Sequence, residues 1–312
     1  MNSPSNATNE IPNECRGGAP GANNKLTRPF YWSVRRELWE NRSIYLAPLI
    51  VASVVLLGFA ISTIGLAERR RAVLLLDPAQ QGARIEMPYD MAAMMIMFTA
   101  FLVGVFYCLD ALHGERRDRS ILFWKSLPVS DLTTVLSKVA IPLVILPLLV
   151  LVIIFCTQLL MMLMTSVVLI THGMSPVSTW AHFNLFGQAV ILLYSLTALS
   201  LWHAPVYGWL LLVSGCVRRA TFLWAVLPLI VIQIFEKITL GTQYFGAMLK
   251  HRLLGFAPHA FDFHDHGRST IDSLRQLTPG SYVSAQGFWL GLLVAVSFLA
   301  AAVRLRRYQG PI

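Results

Sequence analysis

Charge is scarce in this sequence. Only 13% of its 312 residues are Asp, Glu, Lys or Arg, against about a quarter in an ordinary soluble domain. Hydrophobic residues make up 55%, an imbalance that points to lipid as the main solvent. Cysteine is rare as well. The four (Cys15, Cys108, Cys156 and Cys216) show no paired spacing, which argues against a disulfide or zinc framework. Those within apolar runs read as small buried side chains. Reaction signatures are missing too: there is no G-x-x-x-x-G-K-[ST], no H-E-x-x-H and no G-x-S-x-G. Without the first, the phosphate cradle and its lysine are absent, so any ATP chemistry is expected on another chain. Without the others, an intramembrane metal-dependent enzyme is the least favoured alternative. No internal repeat is visible, and no cleavable signal segment is expected, because the first apolar run begins only at Ile44 and is too long for one.

What is present is a series of six long apolar runs: Ile44–Leu66, Met91–Leu112, Val139–Ile170, Asn184–Val217, Thr221–Leu240 and Gly287–Val303. A hydrocarbon core of about 30 Å needs about 20 helical residues. The expected fold is therefore an all-α membrane protein with six transmembrane helices. The third and fourth runs are longer than needed and either tilt, extend into water, or bend at Pro142, Pro147 and Pro205.

The formal net charge is +9, and the placement of that charge predicts orientation. With a cytoplasmic N-terminus, sixteen Lys and Arg fall on inner segments and nine on outer ones, as the positive-inside rule expects. Arg69–Arg70–Arg71 runs against the trend. Both termini are then cytoplasmic, and a nucleic-acid partner has no support.

Residues 1–29 are rich in Asn, Pro, Gly and Ser and read as a disordered cytoplasmic tail; the transmembrane unit occupies 30–310. In "RPFYWSVRRELWENRS" (28–43), Phe30, Trp32, Arg35, Arg36 and Trp39 mix rings with guanidinium groups. That mixture suits a helix lying in the headgroup region, in contact with membrane lipid. The outer connector 67–90 contains "LLLDPAQQG", whose Asp-Pro and Gln-Gly predict turns. In the outer loop 241–286, "FGAMLKHRLLGF" and "STIDSLRQL" predict two short helices.

Polar residues inside apolar runs are functional candidates. Asp110 is placed to pair with Arg116 or Arg117. Glu236 and Lys237, near the outer end of the fifth run, are a candidate gate or interface pair. Gln158, Gln188, His203 and Gln233 are candidate cavity-lining residues. So charge-poor an interior suits a hydrophobic or amphipathic cargo. The cluster His259, Asp262, His264, Asp265 and His266 matches no zinc spacing, and the methionines Met91–Met97 and Met161–Met164 read as packing, so no metal site is expected.

Between the second and third runs lies "HGERRDRSILFWKSLPVSDLTTVLSK" (His113–Lys138). On a helical wheel Ile121, Phe123, Trp124 and Leu127 share one side, opposite Glu115, Asp118, Arg119, Lys125 and Ser126, with Arg116 and Arg117 at the start and Leu122 off-pattern. Pro128 stops this amphipathic helix, and Ser130 or Asp131 can cap the next one. Such a helix can rest on lipid or dock into a groove of another protein.

"LHGERRDRSILFWKSLPVSDLTTVLSK" and "APVYGWLLLVSGCVRRATFLWAVLPLIVIQIFEK" (Ala204–Lys237) resemble the permease subunits of type 2 ABC transporters, the ABC-2 family, and the resemblance extends over 30–310. It implies that Glu115–Leu127, with Arg116, Arg117 and Arg119, is a coupling helix seated in an ATPase partner. It also implies that Phe30–Ser43 is an elbow helix on the membrane surface. Two copies of the permease with two ATPase subunits are expected, ATP and Mg residing on the partner. The expected function is export across a bacterial cytoplasmic (inner) membrane. The alternative is a membrane anchor or assembly factor of an ABC-like complex that moves no solute, for example in metal-enzyme maturation.

Overall fold

A computed structural model describes residues 29–120, 129–262 and 274–308. Among them the regular structure is helical, with turns between the helices and one isolated antiparallel bridge between Phe261 and Leu277. Six helices are long and apolar enough to cross a bilayer.

Helix α1 (Pro29–Glu40) precedes the first of them, α2 (Ser43–Ser62). A short helix, α3 (Leu66–Val73), leads to α4 (Pro78–Arg117). At 40 residues and 1.5 Å per residue, α4 is about 60 Å long, twice the hydrocarbon thickness. Its start corrects the predicted turn. Asp77-Pro78 does end the connector, with Pro78 in the first helical turn, where its missing N–H is harmless. Gln80–Gly82, however, is already helix.

The third apolar run is a continuous rod, Asp131–Thr171, of 41 residues. It comprises α5 (Asp131–Ala140), a π-helical turn (Ile141–Ile145) and α6 (Leu146–Thr171). Pro142 has no N–H for the i−4 carbonyl, and the π turn takes up that mismatch without breaking the rod. Ser130 provides the predicted cap, its Oγ accepting from the Thr133 amide at 3.1 Å.

After the six-residue α7 (Val177–His182), the fourth run divides into α8 (Leu185–Trp202) and α9 (Ala204–Cys216), with His203 between them and Pro205 in the first turn of α9. Helix α10 (Thr221–Thr239) is the fifth span. The segment after it forms α11 (Tyr244–Leu254), α12 (Ala257–Ala260), a 3₁₀ turn (Leu274–Gln276) and α13 (Pro279–Ser284), and α14 (Gln286–Tyr308) closes the bundle. Of "STIDSLRQL" only the end is described, as that 3₁₀ turn. The tail 1–28 lies outside the described residues.

The core sits where α2, α4, α6 and α9 meet, with Ile44, Ile96, Ile141 and Ile154 fully buried. Helices α9 and α14 approach closely at Gly208, where a Cβ would stand 3.3 Å from the Ala295 carbonyl oxygen; small residues permit such contacts between spans. Outward, Leu57, Phe98, Val152, Phe235 and Leu290 are exposed, as a surface facing acyl chains requires.

Candidate functional site

Glu37 and Lys138, each only 2% exposed, meet at one end of the bundle. Bare charges at that depth cost several kcal/mol each unless paired, so their partners matter. Lys138 Nζ, near the end of α5, donates to Glu37 Oε1 of α1 at 2.8 Å and lies 3.2 Å from Glu115 Oε1 of α4. The Tyr107 hydroxyl donates to the second Glu37 oxygen at 2.8 Å. Glu115 also receives Arg36 Nη2 at 3.4 Å and Arg306 Nη1 from the last turn of α14. Arg306 Nε reaches Asp131 Oδ1, at the start of α5, at 3.1 Å. Three carboxylates (Glu37, Glu115, Asp131) thus face three cations (Arg36, Lys138, Arg306) in one network, which Arg36 extends at its edge to the exposed Glu40 at 2.7 Å. Its members come from four elements far apart in sequence.

A second set of contacts fixes the same turn of α4 to α9. Ser214 Oγ accepts from the amides of Leu112 and His113 at 3.1 and 2.9 Å, and Arg116 Nη1 donates to the Gly215 carbonyl at 2.6 Å. The last turn of α4 is therefore held by α1, α5, α9 and α14 together.

The connector leaves from this turn and returns at Ser130. Arg306 binds a carboxylate on each side of it, Glu115 before and Asp131 after. One guanidinium of the last span thus bridges the two residues that flank the connector.

The predicted site residues fall into several groups. Ile121, Phe123, Trp124, Leu127 and Pro128 lie outside the described residues. Glu115 and Arg116 are buried in the contacts just given, while Arg117 is exposed, pairing with Asp118 at 3.1 Å and Asp110 at 3.8 Å. Arg119 adopts a left-handed backbone, φ 57°, where α4 ends. On α1, Phe30, Trp32 and Trp39 are exposed, and the Arg35 guanidinium lies 5.2 Å and 5.0 Å from the two indole centroids, in cation–π range. Arg36 turns inward to the network instead.

Glu236 caps a helix. Its carboxylate accepts from Thr242 Oγ1 at 2.8 Å and from the amides of Tyr244 and Phe245 at 2.6 and 2.9 Å, anchoring the start of α11, while Lys237 is exposed. His203 bridges the carbonyls of Leu199 and Leu253 at 2.8 and 3.1 Å and so ties α11 over the break between α8 and α9. Gln158 is buried beside the Tyr89 carbonyl at 3.5 Å, Gln188 is half-buried and Gln233 is exposed; the four polar candidates are not brought together. Of the His/Asp cluster, His264, Asp265 and His266 lie outside the described residues, and His259 stacks on Trp202 with ring centroids 5.4 Å apart. Among the described residues no three His, Cys, Asp or Glu side chains form a metal-sized group.

Lys138, Glu37 and Arg306 as a unit were not foreseeable from spacing. The available signal was a lysine closing an amphipathic segment at the edge of an apolar run. No family model, curated protein or solved structure matches this chain.

Proposed function

We propose that this chain is the membrane-spanning subunit of an ABC-2 type transporter, working as a pair of copies with two separate ATPase subunits. It sits in a bacterial cytoplasmic membrane with both termini inside. The observation that carries the reading is the anchoring of the connector. Its leading end is fastened by buried ion pairs to α5 and α14 and by Ser214 and Arg116 to α9, and its returning end by a half-buried pair of Asp131 with Arg306 of α14. A loop that only joins two spans gains nothing from such a root, whereas a lever that passes force to the spans requires one. The lack of a phosphate cradle in the sequence and the resemblance of Leu112–Lys138 to the family's coupling segment favour the same reading.

On this reading α1 is the elbow and Ile121, Phe123, Trp124 and Leu127 dock into the ATPase. Nucleotide-driven approach of the ATPases pushes the connector. The ion network then moves α4, α5 and α14 together, biasing the bundle between two states, and a hydrophobic or amphipathic cargo is carried outward. Trp124→Asp places a charge in the docking face and is expected to abolish copurification of an ATPase subunit while the protein remains in the membrane. Undiminished copurification would refute the docking role.

A further inference from the structure

At the far end of α2 from the ion network, a cavity of about 510 Å³ opens between α2, α3, α4 and α6. That volume is within the range of small-molecule sites, about 300–1,000 Å³. Three guanidinium groups line it: Arg69, Arg70 and Arg84. None of its lining residues is acidic. The remaining wall is apolar, formed chiefly by Phe59, Leu66, Leu76, Met87 and Pro88.

Arg70 is the informative member. It is 7% exposed, yet among the described residues its Nη2 meets only a neutral acceptor, Thr179 Oγ1 at 2.6 Å, and its Nε has no hydrogen-bond partner. Burial lowers its pKa from the ordinary guanidinium value, opposed by Tyr89. A buried cation without a counter-ion is costly, and guanidinium donors in a fork match the oxygens of a phosphate or carboxylate. Arg69 is partly engaged, donating to the carbonyls of Ser62 and Ile64, and Arg84 is exposed at the rim. The fold sets these groups in place through Gly65, whose φ of 75° is open to glycine and strained for other residues. That turn folds α3 away from the direction of α2.

We infer that this cavity binds an anionic amphiphile, an oxyanion headgroup lying against Arg70 with Arg69 and Arg84 beside it, and a hydrocarbon chain along the apolar wall. The site is independent of the transport reading, since it lies about 30 Å, the length of the 20-residue α2, from the connector root.

The test uses the purified full chain, delipidated and offered phosphatidylglycerol or the phosphate-free diacylglycerol with identical acyl chains, bound lipid being counted by native mass spectrometry. Phosphatidylglycerol is expected to be retained about tenfold more strongly or better, the factor one charge-assisted hydrogen bond supplies. Arg70→Met should remove that preference. Ala72→Trp, at an exposed lining position, should displace the lipid without disturbing Arg70, so the proposal stands or falls even if Arg70→Met fails to fold. Decyl phosphate separates the two sources of such a ligand. Its displacing phosphatidylglycerol marks a ligand arriving from water, and its failure to do so marks a bilayer lipid; both support the site. Equal retention of the two lipids would overturn it, as would an undiminished preference in both variants, or displacement by inorganic phosphate alone as complete as that by decyl phosphate.

Discussion

Replacing Lys138 by methionine keeps the length of the side chain and removes its charge. Lys138 and Glu37 are each 2% exposed, and the lysine makes contacts of 2.8 Å to Glu37 and 3.2 Å to Glu115. One charge-assisted hydrogen bond of about 1.5–3 kcal/mol, to Glu37, is lost together with the ion pair to Glu115. The substitution also leaves Glu37 buried with, among the described residues, the Tyr107 hydroxyl as the remaining donor to its side chain. Breaking a buried pair from one side costs about 3–5 kcal/mol, so Lys138→Met should lower stability by that amount in chemical unfolding followed by tryptophan fluorescence in micelles. Arg36→Met is the internal control. Its side chain is 17% exposed, stands 3.4 Å from Glu115 and pairs with the exposed Glu40 at 2.7 Å, so the expected loss is about 1 kcal/mol, close to surface pairs. Adding Glu37→Gln to Lys138→Met removes the stranded charge and should recover about 1.5 kcal/mol or more relative to additivity. A loss below about 1 kcal/mol for Lys138→Met, or strict additivity in the double variant, would refute the argument that the network is a tightly coupled unit.

Other outcomes follow from the same geometry. Gly208→Leu forces a side chain against the Ala295 backbone, where even a Cβ comes to 3.3 Å; the expected destabilisation is about 1–3 kcal/mol, read in the same unfolding assay, and wild-type stability would contradict the close packing of α9 on α14. In a cysteine-free background, Leu75→Cys, at an 88% exposed position, should react in intact cells with an impermeant thiol reagent, and Arg117→Cys should not. The opposite pattern would reverse the proposed orientation.

Much of this architecture was legible in the sequence. Lengths of apolar chain set by bilayer thickness announce their own spans, and Ser130 marks a helix start through a local hydrogen bond to the Thr133 amide. The extra turns of α4 before Met91 were hidden because Pro78–Asp90 is too polar to count as a span, although nothing after Pro78 stops the helix. Pro142 and Pro205 both signalled bends. Whether each yields a π turn or a break depends on tertiary contacts, and at His203 the ring reaches the Leu253 carbonyl of α11, 50 residues away.

The ion network was hidden for a similar reason. Glu37 reads as one charge on an interfacial helix, Lys138 as the polar edge of a span, and Arg306 as one more inside-facing cation. Their pairing spans 101 residues between Glu37 and Lys138 and 191 between Glu115 and Arg306, and no periodicity connects such positions. Asp110 shows the contrasting case. Its pairing with Arg117 lies within two helical turns, and local spacing sufficed to name it.

The account rests on this subunit receiving its driving force from another chain. Reconstituted alone in lipid and supplied with ATP and Mg²⁺, it should release no phosphate, and hydrolysis should appear only when an ATPase subunit is added and should be uncoupled from wild-type protein by Trp124→Asp. Phosphate release by the purified chain on its own would contradict the account.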